Sequence, residues 1–169
     1  MKFTLRRFKD GDQKSLVKNI NCKEIFNNTS SIPCPYSKKR ADKLILRCKK
    51  ISKLKNPKAI KFAIDIKGDV VGSIGFHKID RKNKRAEIGY WLGKDYRGMG
   101  IMTKAVKQMT NYGFKKLKLK RIYAYVFAHN KASTRVLEKV GFKLEGKMKK
   151  HILKNRKFVD VFVYGKVRR

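Results

Sequence analysis

Three groups of residues have the types and spacing to do chemistry. The first is Arg97-Gly98-Met99-Gly100, followed by Ile101, Met102 and Thr103 where helical periodicity begins. Glycines at 98 and 100 remove side chains where the chain turns, so backbone N–H groups of a helix's first turn can face outward. Those groups have no acceptor inside the helix and carry its positive dipole end. With the Arg97 guanidinium they make a seat for a phosphate or diphosphate. A tight strand-to-helix turn also asks for glycine at these places, and a lone G-x-G does not separate the two uses. The second group is Glu87, a carboxylate inside a strand-like run, whereas most other acidic residues fall in turns or at helix ends. A carboxylate that a strand holds beside a cleft can serve as a base through a water, or it can pair with one of the many lysines. The third group is Asn130 with Ser133. Asn130 stands where a helix N-cap belongs, and Ser133 can satisfy an early backbone group of that helix or hydrogen-bond a ligand.

These residues need elements to position them. Residues 87–92 are rich in aromatic and aliphatic side chains and read as a strand. Residues 98–117 read as a helix with Met102, Ala105, Val106, Met109, Gly113 and Leu117 on one stripe. Upstream, residues 3–8 predict a strand, residues 10–12 a turn, and a helix follows to about residue 20. Residues 27–35, with two prolines, predict a loop. Residues 37–54 predict a helix with Ala41, Leu44, Ile45, Cys48 and Ile51 inward, stopped by Asn56-Pro57. Residues 59–66 and 70–79 are strand-like and joined by Lys67-Gly68-Asp69, and residues 81–84 turn into the central strand. Gly89 interrupts that strand, marking a bulge or a close approach by another group. Downstream, residues 121–127 predict a strand parallel to the central one, and Asn130 opens a helix through about Val140. Residues 141–150 and 157–167 predict a final hairpin with a strongly basic connection, residues 149–157. The fold class is α/β: a mixed, largely antiparallel sheet flanked by about four helices, in one domain over residues 1–169.

With a strand before it and a long amphipathic helix after it, Arg97-Gly-Met-Gly-Ile-Met102 resembles the Q/R-x-x-G-x-G/A acetyl-CoA diphosphate loop of the GNAT superfamily of N-acetyltransferases. Met102 stands where Gly or Ala is usual, which implies a more crowded last backbone contact. Asn130-Lys-Ala-Ser-Thr-Arg-Val-Leu-Glu-Lys-Val-Gly-Phe142 resembles the downstream motif of the same family. Given Glu-Ile-Gly-Tyr-Trp-Leu ahead of both, the resemblance is closest to the Rim type, which acetylates N-termini of ribosomal proteins. It implies a splayed pair of parallel strands with the pantetheine arm between them, and acetyl-CoA without a metal. It also implies cofactor contacts at Tyr90, Trp91, Leu92, Arg97, Gly98, Met99, Gly100, Ile101, Met102, Thr103 and Asn130, though Tyr90 and Trp91 also read as strand packing or an acceptor-pocket wall. Glu87 would be the base, a backbone N–H near Leu92 would polarise the thioester carbonyl, and Ser133 would hydrogen-bond the sulfur. Many members place a Tyr seven residues after the motif Asn; this chain has Leu137, which has no proton to give.

Composition bounds the rest. A chain of 169 residues suits one domain able to bury roughly two-thirds of its unfolded surface. Its 46 Lys+Arg against 12 Asp+Glu give a formal net charge of +34. That charge fits affinity for nucleic acid or ribosomes, attraction of a polyanionic cofactor, or a lysine-rich composition without a message. Cys22, Cys34 and Cys48 show neither disulfide nor zinc spacing, and His77, His129 and His151 have no metal-ligand spacing. Nothing has the length of a membrane span or the apolar run of a signal peptide, so a cytoplasmic location is expected. The acceptor expected is a primary amine, foremost a protein α-amine. A small-molecule amine, or an RNA- or ribosome-bound CoA-binding protein without turnover, are the alternatives.

Overall fold

In the computed structural model, which describes residues 1–168, the strand-like runs pair into a single seven-stranded sheet. In chain order the elements are β1 (Thr4–Arg6), α1 (Gln13–Ile20), α2 (Lys23–Asn27), α3 (Lys38–Ser52), β2 (Ile60–Ile66), β3 (Asp69–Asp80), β4 (Arg85–Leu92), α4 (Ile101–Lys115), β5 (Arg121–Phe127), α5 (Lys131–Lys139), β6 (Lys143–Lys154) and β7 (Lys157–Val167). A 3-10 turn, Lys94–Tyr96, lies between β4 and α4. The sheet order is β1-β2-β3-β4-β5-β7-β6, antiparallel throughout except for β4 and β5.

Strand alternation sends side chains to two cores, one on each face. Ile74, Phe76, Ile88, Leu92, Ile122 and Ala124 meet Met102, Ala105, Val106 and Met109 of α4, together with Leu137 of α5. Ala63, Val70 and Trp91 meet Leu16 and Ile20 of α1, Ile25 of α2, and Ala41, Ile45 and Cys48 of α3. Burying such side chains supplies most of the driving force, at about 25 cal/mol per Å² of apolar surface. Among the described residues no helix is long and apolar enough to cross a membrane.

Five differences from the sequence reading have physical causes. A fifth helix, α2, precedes the expected loop; five residues are too few for periodicity to show. Helix α4 begins at Ile101, because Gly98 (φ 76°) and Gly100 (φ 71°) are left-handed and belong to the turn. Strand β6 runs on to Lys154, so the supposed basic connection is strand. The hairpin turns at Asn155 and Arg156, both with positive φ. No bulge occurs at Gly89, which pairs with Gly75 in regular register; instead, the His77 ring lies 3.2 Å from where a Cβ on Gly89 would sit. The irregularity lies on β3 between His77 and Asp80, where Lys78 takes φ 48°.

Candidate active site

The parallel pair of strands is short. β4 and β5 are in register only at Arg85/Arg121, Ala86/Ile122 and Glu87/Tyr123, and beyond Glu87 they part. The Gly93 N–H donates to the Val71 carbonyl (2.8 Å), so Gly93, Trp91, Gly89 and Glu87 direct their backbone groups toward β3. By alternation the N–H groups of Tyr90 and Leu92 point the other way, into the gap that β5 has vacated. The expected splay is therefore present, with Leu92 N–H beside it.

At the end of β4 the chain turns through the 3-10 segment and the two left-handed glycines into α4. Gly100 is the N-cap and contributes no side chain, so the first-turn N–H groups of Ile101, Met102 and Thr103 lack an intrahelical acceptor. A Cβ built on Gly98 or Gly100 would meet nothing within 4 Å. The loop is thus an open cradle of donors at a helix N-terminus, which suits a diphosphate. Ile101 and Met102 turn their side chains into the core, so Met102 does not crowd the cradle and only backbone groups are offered there. Met99 is exposed. Arg97 departs from its expected part. Its guanidinium pairs with Glu24 of α2 (2.8 Å) and bonds the Leu92 carbonyl (3.3 Å), holding α2 against the loop.

On the α4–α5 face of the gap, the Tyr90 hydroxyl lies 2.8 Å from Ser133 Oγ, and burial pushes its pKa well above the usual phenol value. The Ser133 N–H donates to Asn130 Oδ1 (3.1 Å), so Asn130 caps α5 as its position predicts. The Asn130 side-chain NH2 makes no hydrogen bond among the described residues. The sequence-derived Tyr90, Asn130 and Ser133 are brought together here. Trp91 is separated from them: its side chain is buried in the core under α1 and α3, and its backbone groups face β3. That placement is the strand packing also read for Trp91 and leaves its side chain away from the cofactor side of the gap.

Glu87 lies on the opposite face with side chains that motif reading missed. Its Oε2 is 2.9 Å from Lys78 Nζ, an ion pair without the alignment of a hydrogen bond. The β3 irregularity is what turns Lys78 toward this face, where its ammonium also lies 5.7 Å from the Tyr125 ring centroid. Contact with Glu87 raises the Lys78 pKa. Tyr123 stands opposite Glu87 on β5 and is raised by burial and by that carboxylate; Tyr125 meets it edge-on, with centroids 5.6 Å apart. His77, cross-strand from Glu87, is lowered by burial first and by Lys61 next. The Tyr-Ala-Tyr alternation on β5 was a readable signal for two aromatic rings on one face. Lys78 had none among 46 basic residues.

Comparisons with known proteins bear on the family and the fold. The family model "Acetyltransferase (GNAT) domain" matches residues 2–143. The putative ribosomal N-acetyltransferase YdaF of Bacillus subtilis is 35% identical over 102 residues, 60% of this chain and 56% of that protein. The ribosomal-protein-serine acetyltransferase of Escherichia coli is 32% identical over 106 residues, 63% of this chain and 59% of that protein. The chain thus matches less than two-thirds of the length of these relatives. The solved structure of the microcin C7 self-immunity acetyltransferase MccE, in complex with acetyl-CoA and AMP, superposes with a TM-score of 0.85 at 26% identity, over 98% of this chain and 92% of that one. The chain belongs to the GNAT acetyltransferase family.

Proposed function

We propose that this protein is an acetyl-CoA-dependent N-acetyltransferase and that its acceptor is the α-amine of a protein chain. The observation that carries the reading is the gap beyond Glu87 and Tyr123, with a Ser133–Tyr90 pair on one face, Glu87 on the other and a phosphate cradle at its end. Bound acetyl-CoA would supply a thioester whose carbonyl carbon an amine can attack directly, with the thiolate leaving. The N–H groups of the Gly98–Gly100 turn and of Ile101, Met102 and Thr103 would hold its diphosphate. The free Asn130 amide, Tyr90 and the edge of β4 would line its pantetheine arm. Leu92 N–H would donate to the carbonyl oxygen as negative charge develops there. Ser133 Oγ–H would donate to the sulfur, and Tyr90, buried at 2.8 Å, would act as the positioning residue that fixes the serine rotamer.

Glu87 would take the amine's proton through a water, while Lys78 holds the carboxylate in place. The demand on this base is small for an α-amine. With a pKa near 8, roughly a tenth of it is neutral at pH 7, against a few per ten thousand for a lysine side chain near 10.4. Charge argues against a polyamine acceptor. Glu87 is the carboxylate at the gap and it already has a cation, in a protein of net charge +34. The same charge supports association with ribosomal RNA, where nascent or assembled protein N-termini are at hand. The test is thiol release from acetyl-CoA with peptides identical except for a free or blocked α-amine. Release with the free peptide alone supports the reading; release with neither, while acetyl-CoA still binds, refutes it.

A further inference from the structure

The β6–β7 hairpin carries a cluster of side chains that acetyl transfer does not use. Near its tip Leu153 and Phe158 pair across the two strands, 61% and 64% exposed. One open apolar side chain needs no explanation, but two side by side on one face form a shelf. The Phe158 ring has no aromatic or cationic partner among the described residues. The opposite face of the tip is engaged. Alternation puts Lys154 there, where its ammonium donates to the Thr29 carbonyl (2.9 Å) and lies 3.7 Å from the centroid of the Phe26 ring. The hairpin is therefore held against α2 and the chain after it by one face, and the Leu153–Phe158 face is left open.

The same tip is cationic. Between Glu145 and Asp160 the chain has no carboxylate. Those two are already in use: Glu145 pairs with Arg121, and Asp160 pairs with Lys147 (2.8 Å) and accepts from the Lys150 N–H (2.9 Å). Lys149, Lys150, Arg156 and Lys157 are exposed, and their side chains form no ion pair among the described residues. Asn155 (φ 50°) and Arg156 (φ 60°) make a two-residue turn, so the tip is narrow and a charged residue stands outermost, with the apolar shelf behind it. This order decides among polyanionic partners. A bilayer surface would call for apolar side chains at the very end of the hairpin. An acidic peptide would answer the charge and leave the ring without a flat partner. A nucleic acid duplex keeps its base faces inside its own stack. Unpaired RNA offers both phosphates for the cations and an open base face for the ring.

We propose that the tip of the β6–β7 hairpin is a binding site for unpaired RNA, in which Phe158 stacks on a base beside Leu153 while Lys149, Lys150, Arg156 and Lys157 hold the neighbouring phosphates. It gives the RNA association suggested by net charge a surface of its own, and it does not depend on which amine is acetylated.

The experiment measures binding of a labelled oligouridine by fluorescence anisotropy across a salt titration, with an RNA duplex of the same length and phosphatidylserine-containing vesicles as the other probes. Phe158→Leu keeps the apolar bulk and removes the ring. It should weaken oligouridine binding about tenfold, with Tm and salt dependence unchanged because the side chain is exposed, and it should leave duplex binding as it was. The combined variant K149Q, R156Q and K157Q should reduce the slope of log Kd against log salt by about two. An equal neutralisation on α3, K39Q with K43Q and K50Q, should leave that slope as in wild type. Oligouridine binding by Phe158→Leu within twofold of wild type would overturn the proposal by removing the stack. Equal slope changes in the two triple variants would overturn it by making the binding a property of net charge alone. A dependence on Phe158 seen with vesicles in place of oligouridine would assign the tip to a membrane surface instead. Acetylation of a short peptide should be unchanged in all of these variants, so the RNA site and the acetyl-transfer reading are decided separately.

Discussion

Substitution of Gly100 tests the phosphate cradle most sharply, because its effects on fold and on ligand can be separated. Gly100 is exposed, has φ 71°, and a Cβ there meets nothing within 4 Å. Gly100→Ala therefore costs only left-handed strain, about 1–2 kcal/mol, which lowers Tm by about 2–8 °C at this chain length. Gly100→Glu carries the same strain and adds a negative charge where a diphosphate would lie. At ~5 Å and an effective dielectric constant of about 20, one such repulsion is worth ~3 kcal/mol, or about a hundredfold in Kd. Calorimetry of acetyl-CoA binding should then give a loss of less than tenfold for Ala and a hundredfold or more for Glu, at nearly equal Tm. Turnover of a short acetyl thioester without the diphosphate should distinguish the two variants little. A Glu variant that binds acetyl-CoA within threefold of wild type would remove the cradle from the account. So would one that fails equally with the short thioester.

Glu87→Gln should lower turnover ten- to ten-thousand-fold with acetyl-CoA affinity intact; unchanged turnover would mean that the base lies elsewhere. Ser133→Ala should slow transfer more than it weakens acetyl-CoA binding. Tyr90→Phe should follow it in kcat at a stability cost of about 1 kcal/mol for the lost hydrogen bond, and the reverse ranking of rate and affinity would confine Ser133 to binding and capping. Acid should destabilise the protein through His77. The folded imidazole titrates below its ordinary value because it is buried, so between that lowered value and about 6.5 the unfolded chain binds more protons and stability falls as pH falls. Thermal unfolding between pH 7.5 and 5.5 should show a smaller acid loss for His77→Asn than for wild type; parallel curves would show that His77 contributes nothing.

What was legible in the sequence was whatever local rules decide. Residues 121–127 were assigned correctly because Arg-Ile-Tyr-Ala-Tyr-Val-Phe alternates and favours extended backbone, and Asn130 because a cap acts within three residues of itself. The start of α4 was misplaced by three residues: the glycines that made the turn readable also carry positive φ, and a helix cannot begin until they end. The partners of the site residues were not legible, since register and packing choose them. Nothing local joins Tyr90 to Ser133 across 43 residues, or Arg97 to Glu24 across 73. Lys78 reaches Glu87 only because β3 gains an irregularity there, and Trp91, on the same strand face as Glu87, is covered because α1 and α3 pack over that end of β4.

The central claim is that this site delivers an acetyl group to a protein α-amine. Its most direct test is an internal competition: one peptide bearing both a free α-amine and a lysine, incubated with enzyme and acetyl-CoA and sequenced by fragmentation mass spectrometry. The acetyl group should appear on the α-nitrogen, with the lysine untouched until the α-amine is consumed. Acetyl on the lysine Nζ first would contradict it.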